Sequence, residues 1–361
     1  NYVKAALAAE GIDSELHALD PDRANLVARI NGNGSKRPIL IMGHTDVVGV
    51  QAERSTEDPF GGLRKDGWIY GRGTLDDKDN VTAGLMLLIM LKRYDVELDR
   101  DIIFLAESGE EGTPEVGINY MIEHHWEKIE AEYALAEGGS NVLEAGGVSV
   151  VGIQTAEKVP RRATLVARGT AGHGSVPRVD NPITALARAV AKMGAWQTDV
   201  RLNSTTRAYF ERMAAMSNPE DAWRYRNIEN PQETEAIQQY FLENFPYHYS
   251  AIRTSVVPTI IDGGFRKNVI PSEATAMLDI RMLPDEDVDA FYEQMRTIID
   301  DPNVEVVPER IYRPVSPPSP VDNEMFETLE RVAGRMYPEA QVLPRMSTGA
   351  TDMAQVRSRG V

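Results

Sequence analysis

The chain has 361 residues, of which 42% are hydrophobic and 26% charged, which is typical of a globular protein long enough for two domains. Its 38 basic and 55 acidic residues give a net charge of −17, which argues against nucleic acid and anionic membranes as partners. The absence of cysteine excludes disulfides and thiolate metal sites, and no apolar run is long enough to span a membrane. The first residue is Asn1, and the sequence fits both a cytoplasmic and an exported protein.

Up to about residue 158, short apolar strands alternate with helices. We predict helices at 80–93 and 116–125, and strands at 25–30, 38–43, 68–70, 101–106 and 132–136. This alternation favours an α/β domain with a mostly parallel sheet flanked by helices. In such sheets, ligands bind beyond the carboxyl ends of the strands.

The pattern changes near residue 159. An alternating strand at 162–168 and a glycine-rich loop at 169–177 precede a helix at 183–193, strands at 252–261 and 274–282, and a helix at 287–299. Because its strands and helices are segregated, this part is predicted to be an α+β unit with an antiparallel sheet. The polar and aromatic stretch 203–246 is predicted to be helical.

The end of the chain is predicted to return to the first domain. Proline-rich 313–320 is typical of a linker, and 324–336 has a helical pattern. We therefore expect one discontinuous domain, 1–158 with 314–361, and a second domain, 159–313, inserted into it.

His44 follows the predicted strand 38–43, and Asp46 lies two residues further on. An imidazole binds a metal through one nitrogen while a carboxylate or carbonyl holds the other nitrogen. A single histidine at the end of a strand is more often structural than a metal ligand. The role of His44 therefore depends on which residues follow the other strands.

A glycine-rich segment, 71–78, follows the strand 68–70 and places Asp76 at another strand end. The alternative is a glycine turn with a helix-capping aspartate. The spacing matches neither a Walker motif nor a dinucleotide fingerprint.

Further carboxylates follow two more strands. Glu110 and Glu111 come after 101–106, and Glu137 comes after 132–136. Neighbouring carboxylates repel unless a cation offsets their charge, so one could bind a metal while another accepts a proton from water. The alternative is an acidic surface loop. With His44 and Asp76, these side chains are suited to zinc, manganese or cobalt.

These motifs resemble the co-catalytic zinc metallopeptidase family of aminoacylase, carnosine dipeptidase, carboxypeptidase G and succinyl-diaminopimelate desuccinylase. The matching segments follow the family's order over nearly the whole chain: 43–48, 58–60, 71–78, 110–112, 135–139, 169–177, 268–271, 279–281 and 351–352. The resemblance implies a catalytic metal-binding domain with an inserted lid or dimerisation domain. It also allows a homodimer formed through the lid.

The resemblance implies two divalent metal ions, zinc first, with manganese or cobalt as alternatives. Asp76 would bridge them, His44 and Glu137 would complete one site, and Glu111 would join the other. Two metals about 3.5–4 Å apart can polarise a carbonyl and activate water for amide hydrolysis.

The resemblance also assigns roles to other residues. Glu110 would be the general base, and Asp46 would orient His44. His173, in the lid, would hold the oxyanion, in some family members from the partner subunit, although a loop histidine bonded to backbone remains an alternative. Asn268 and Arg281 would contact substrate, the arginine gripping a carboxylate, although a structural ion pair is an equal alternative for Arg281.

One ligand of the family pattern has no counterpart. The resemblance implies a last histidine ligand beyond the Thr351-Asp352 motif, and all six histidines of the chain precede that motif. We therefore expect the second metal site to lack this histidine in the present chain and the C-terminal part of the catalytic domain to be truncated.

We predict a metal-dependent hydrolase that cleaves a peptide or other amide bond adjacent to a free carboxylate, as an exopeptidase, dipeptidase or carboxypeptidase acting on small peptides. An N-acyl-amino-acid amidohydrolase of the same mechanism is one alternative. A non-catalytic metal-binding homologue is another: the missing histidine favours it, whereas Glu110, Asp46 and His173 count against it.

Overall fold

The computed structural model describes residues 1–144, 146–310 and 313–361, which fall into two compact units. The first comprises Asn1–Gly138 with Thr351–Val361, and the second comprises Gly139–Ala350. The predicted lid, 159–313, lies within the second unit together with the segments on either side of it. Its exact boundaries stay a prediction.

The first unit alternates strands and helices. In chain order, its elements before the second unit are α1 (Tyr2–Ala9), β1 (Ser14–His17), β2 (Asn25–Ile30), β3 (Ile39–His44), a turn of 3₁₀ helix (Ala52–Arg54), β4 (Leu63–Lys65), β5 (Trp68–Tyr70), α2 (Lys78–Arg93), β6 (Ile102–Glu107), α3 (Ile118–His124), α4 (Trp126–Ile129) and β7 (Tyr133–Leu135).

The elements of the second unit, and the last helix of the chain, continue this numbering. They are β8 (Ser140–Glu144), β9 (Gly147–Glu157), β10 (Val159–Arg168), β11 (Gly172–His173), α5 (Pro182–Ala195), α6 (Ser204–Met216), α7 (Pro219–Arg226), α8 (Thr234–Asn244), α9 (Pro246–Ala251), β12 (Ser255–Gly263), β13 (Val269–Ile270), β14 (Glu273–Met282), α10 (Val288–Ile299), β15 (Val304–Pro308), α11 (Glu324–Met336), β16 (Gln341–Ser347) and α12 (Met353–Arg357), which belongs to the first unit.

The central sheet of the first unit has the strand order β1-β2-β6-β3-β7. Strand β3 is parallel to β6 and β7, whereas β2 is antiparallel to β1 and β6, so every strand except β2 points the same way. In the β3–β6 pair, His44 lies directly opposite Glu107. The carboxyl ends of adjacent parallel strands therefore bring the histidine and the acidic loop together, as strand-end ligand placement predicts.

Both faces of this sheet are buried, because successive residues along a strand pack on opposite faces. On β6, Ile102, Phe104 and Ala106 pack with α1 and α2, whereas Ile103 and Leu105 pack with residues of α3, α4 and α12. Helix α2 approaches closely, since a Cβ at Gly84 would lie 2.6 Å from the Phe104 ring. Glycine at position 84 thus permits tight contact between the helix and the sheet.

The second unit contains the predicted antiparallel sheet, with strand order β12-β14-β10-β15. The even-numbered residues of β14 from Ala274 to Met282 are buried, and they pack with residues of α5 and α10 in one hydrophobic core. The opposite face of β14 is only half-buried. This strand alternation and the helices on one face confirm the α+β prediction.

Another part of the second unit was only partly predicted. Stretch 203–246 is helical, as expected, and its helices share an aromatic core with Leu343 of β16. Strand β16 pairs in parallel with β9, which pairs antiparallel with β8, and no strand was predicted at these positions. Pro344 within β16 disfavours a strand prediction, because a proline cannot donate a ladder hydrogen bond.

The fold class predicted from the sequence is confirmed.

Among the described residues, no helix combines the length and the apolar character that a membrane crossing requires.

Candidate metal centre

His44 is the most buried member of the predicted metal site. It ends β3 and is 1% exposed. Its Nδ1 lies 3.1 Å from the backbone oxygen of Asp46 and 3.6 Å from the Asp46 carboxylate. Two acceptors there favour a proton on Nδ1, which leaves the Nε2 lone pair free to bind a metal. Nε2 faces Asp76 Oδ1 at 3.0 Å and Glu137 Oε2 at 3.8 Å.

Asp76 and Asp77, joined by a cis peptide bond, precede α2. The Asp76 side chain is exposed, whereas Asp77 is buried and its Oδ2 accepts the backbone N–H of His44 at 3.0 Å. A Cβ at Gly43 would lie 2.8 Å from that Oδ2, so glycine allows this close approach. Asp77 is the N-cap residue of α2, and its side chain makes no capping bond to the helix.

Asp46 also fixes the acidic loop that follows β6. Its Oδ1 accepts the backbone N–H of Gly109 at 2.8 Å, and its Oδ2 accepts that of Glu111 at 3.2 Å. Glu111 Oε1 accepts the backbone N–H of Val48 at 3.3 Å. One carboxylate therefore contacts both the histidine and the loop that carries Glu110 and Glu111.

The described residues contain two groups with possible ligand atoms within 4.8 Å of one another, and both groups include His44. One contains Asp76 and Glu111, and the other contains Asp77 and Glu137. Imidazole nitrogen and carboxylate oxygen suit zinc, manganese and cobalt, so this donor set fits the predicted divalent ions. The structure thus brings together all four predicted ligands and adds Asp77.

Burial and mutual repulsion disfavour charge on the carboxylates. Burial and the nearby Glu110 raise the pKa of Glu137 to about 8. Burial and Asp352 raise the pKa of Glu107 well above its usual range, and burial and Asp76 raise that of Glu111. A cation at this place would offset the repulsion and let these groups ionise.

In the His44–Asp46 pair, by contrast, the charged forms of both side chains are favoured. Burial opposes charge on both groups, but the contact between them raises the pKa of His44 to about 10 and lowers that of Asp46 to about 2. The carboxylates of Glu137, Asp77 and Glu110 add to the increase for His44. A proton on the imidazole would therefore balance part of the negative charge of the surrounding carboxylates.

Three acidic residues of the site were not predicted as ligands or catalytic groups. Asp77, Glu107 and Asp352 line a small cavity at the strand ends with Glu110 and Glu137. Glu107 is 1% exposed, and its Oε2 has no hydrogen-bond partner among the residues that the structure describes. The signal available in the sequence was a glutamate directly after Ile-Ile-Phe-Leu-Ala, where an apolar residue is expected.

The predicted lid residues lie in the second unit. His173 ends β11, and its Nδ1 contacts Ser175 Oγ at 2.7 Å. Its Nε2 lies 3.3 Å from Asn268 Nδ2, so the structure brings these two predicted residues together. Arg281, on β14, donates from Nε and Nη2 to Asp279, which is the geometry of the ion-pair alternative. It remains half-buried rather than enclosed.

Comparison with known proteins identifies the family. The family model described as Peptidase family M20/M25/M40 matches residues 40–361. The chain belongs to this family. The predicted resemblance is thereby confirmed, as is the enzyme class, a metallopeptidase or amidohydrolase.

Individual relatives are distant. The chain is 28% identical over 349 residues to human N-fatty-acyl-amino acid synthase/hydrolase PM20D1, covering 93% of this chain and 68% of the relative. It spans between 62% and 68% of the length of this and three similar curated relatives.

Solved structures share the fold. The M20 family metallo-carboxypeptidase Sso-CP2 from Sulfolobus solfataricus has a TM-score of 0.70 at 21% identity, covering 99% of this chain and 84% of that chain. The Bacillus subtilis YXEP protein, a dinuclear metal-binding peptidase, has a TM-score of 0.60 at 16% identity, covering 99% and 79%.

The stabilisation of the protein by zinc should increase with pH. His44 and Glu137 have raised pKa values in the folded state, about 10 and about 8, so their protonation stabilises the metal-free fold at low pH and is lost as pH rises. Protons also compete with zinc for the ligands. We expect the zinc-induced rise in Tm to be larger at pH 8 than at pH 6.

Thermal melts with zinc and with chelator measure this difference. His44→Ala should abolish the zinc-induced shift, whereas His124→Ala, at an exposed histidine, should retain it. A zinc shift that is equal at both pH values would contradict the expected competition between metal and protons.

Proposed function

We propose that the chain is a metal-dependent hydrolase that cleaves an amide bond adjacent to a free carboxylate. The observation that carries the proposal is that His44 belongs to two sets of possible ligands, each with two carboxylates. The loop beside them also holds Glu110. Bound divalent ions would polarise the substrate carbonyl and lower the pKa of water. No serine or cysteine nucleophile is then needed.

We propose Asp76, rather than Asp77, as the bridging ligand. Both Asp77 oxygens already accept hydrogen bonds, Oδ2 from His44 N–H and Oδ1 from Asn80 Nδ2. Asp76 has an exposed side chain and lies near both His44 and Glu111. His44 and Glu137 would complete one position and Glu111 the other. Zinc is the proposed ion, with manganese or cobalt as alternatives.

Glu110 is the proposed general base. It is 9% exposed and lines the cavity at the strand ends, so it is placed to accept a proton from the attacking water and return it to the leaving amine. Asp46 would hold the His44 tautomer, and the His173 imidazole would donate a hydrogen bond to the developing oxyanion.

Replacing Glu110 with glutamine should reduce kcat by about 10²–10⁴-fold, because the proton acceptor is lost while its shape is kept. Zinc binding should persist, since the proposed ligands are unchanged. Turnover by metal-loaded protein and zinc content measure the two effects. The matched control is Glu115→Gln, at an exposed glutamate in the same loop. Wild-type turnover by Glu110→Gln would exclude the proposed role.

Arg281 and Asn268 are the proposed substrate-binding residues. Arg281 is held by Asp279 in a fixed orientation, and its planar guanidinium suits bidentate contact with a carboxylate. Asn268 lies beside His173, so a group that contacts one could contact the other. Binding of the substrate's free carboxylate would then determine where its scissile bond lies in the site.

Arg281→Ala should therefore lower kcat/KM about tenfold or more for a substrate with a free carboxylate, because a charged hydrogen bond is lost. The same substrate with a carboxamide should be poor for both proteins. Arg162→Ala, opposite Asp279 on the paired strand, is the control. If Arg281→Ala keeps the wild-type preference for the acid over the amide, Arg281 is only a structural partner of Asp279.

A peptide and an N-acyl amino acid both present an amide beside a carboxylate. The chain is related to PM20D1, which is named an N-fatty-acyl-amino acid synthase/hydrolase. This relationship supports N-acyl amino acids as the alternative substrate class. Rates on a panel of dipeptides and N-acyl amino acids separate these two. A metal-loaded protein that hydrolyses neither class would favour the non-catalytic alternative.

A homodimer through the predicted lid is also proposed. Strand β12 lies at the edge of the antiparallel sheet, and its Val257, Ile260 and Ile261 are more than half exposed. An apolar edge strand with unpaired backbone groups favours pairing with another strand. A second copy of the chain would provide that strand.

Ile261→Lys should shift the protein from dimer to monomer, because a charge would be buried at the interface. Val307→Lys, at an exposed valine of the opposite edge strand β15, should leave the dimer intact. Sedimentation velocity distinguishes the species. A monomeric wild-type protein, or equal effects of both substitutions, would contradict this interface.

A further inference from the structure

Asn25 is a buried polar residue at the start of an otherwise apolar strand. It is the first residue of β2, its exposure is 0%, and Leu26, Val27 and Ala28 follow it in the core. A buried carboxamide destabilises a fold unless hydrogen bonds satisfy it. Its partners therefore show what it holds in place.

The Asn25 carboxamide connects three segments of the first unit. Nδ2 donates to the backbone oxygen of Val116 at 2.8 Å and to that of His17 at 3.2 Å. Oδ1 accepts the backbone N–H of Ser108 at 3.0 Å. Ser108 and Val116 lie at the two ends of the loop that carries Glu110 and Glu111.

The two ends of this loop are in direct contact. A Cβ at Gly117 would lie 1.8 Å from the backbone oxygen of Ser108, so only glycine allows the approach. Ser108 Oγ donates to the backbone oxygen of Arg23 at 3.0 Å, next to β2. Asp46 holds the N–H groups of Gly109 and Glu111 from the other side.

We propose that Asn25 is a positioning residue for the general base and the metal ligand of the acidic loop. It is not one of the proposed metal ligands or substrate-binding residues. By closing the loop at both ends, it fixes the backbone from which the Glu110 and Glu111 side chains project. This inference rests on the proposed function for the roles of those two glutamates, whereas the closure of the loop by Asn25 is independent of those roles.

The test compares Asn25→Ala with Asn203→Ala. Asn203 caps α6 in the second unit, and its side chain accepts the N–H of Thr206 at 2.9 Å. Removing this cap should lower Tm without changing the contacts of the acidic loop. Hydrogen exchange of residues 108–117, zinc titration of the metal-free full chain, and kcat and KM of the zinc-loaded protein are measured for both.

Asn25→Ala should accelerate exchange in 108–117 and weaken binding of the second zinc equivalent about tenfold or more. It should lower kcat more than it raises KM, because the base is misplaced and the substrate contacts are not. Asn203→Ala should change none of these. If the two variants with similar Tm loss give the same exchange, zinc affinity and kcat, Asn25 only stabilises the fold and the proposal is wrong.

Ser108→Ala provides a milder variant if Asn25→Ala fails to fold. It removes the hydroxyl contacts with the Arg23 backbone oxygen at 3.0 Å and with Asn25 Oδ1 at 3.5 Å, and it keeps the backbone N–H bond to Asn25, so the same changes are expected at smaller size. No change in exchange or in zinc affinity would overturn the proposal. If wild-type protein shows no hydrolysis, the proposed function fails, while exchange and zinc titration still decide the role of Asn25.

Discussion

The concentration of negative charge around one imidazole governs the chemistry of this protein. Carboxylates reach the same sheet edge from four different places: the segment before α2, the end of β6 with the loop after it, the end of β7 and the residue before α12. Like charges at such distances raise one another's pKa values, and burial strengthens the effect. Only a cation, a proton or both can balance this arrangement, and the family to which the chain belongs uses divalent metal ions.

The fold places these charges by strand direction and by glycine. Parallel neighbours β3 and β6 end together, so His44 and Glu107 lie side by side. Glycine at position 43 then leaves room for Asp77 to reach the His44 backbone. The hydrogen bond fixes the backbone at the end of β3. The ligand geometry is thus set by backbone contacts that do not require the metal.

Much of this could be predicted from sequence, because strand-end ligands are local signals. His44, Asp76, Glu111 and Glu137 each follow a short apolar run, and the structure brings them together. The lid sheet was predicted for a similar reason, since β14 alternates regularly along its length. Local periodicity and motif order sufficed for these elements.

Other features depend on contacts between distant segments, which no local pattern reports. Strand β16 pairs with β9 nearly two hundred residues earlier, and Pro344 obscures its strand character. Asn25 is the first residue of a strand, where a polar side chain is often exposed, and its burial follows only from the return of 108–117 to the same place. The sequence does not single out Asp77, because its neighbour Asp76 already fits the metal-binding motif.

The contacts of Asp46 have a consequence for how two ions would share this centre. The same carboxylate lies beside the His44 imidazole and accepts two N–H groups of the acidic loop. An ion at either position therefore acts on a residue that orients ligands of the other. Thermodynamic linkage makes such an effect reciprocal. The two ions would load as a coupled pair, and the affinity measured for each would depend on whether the other is already bound.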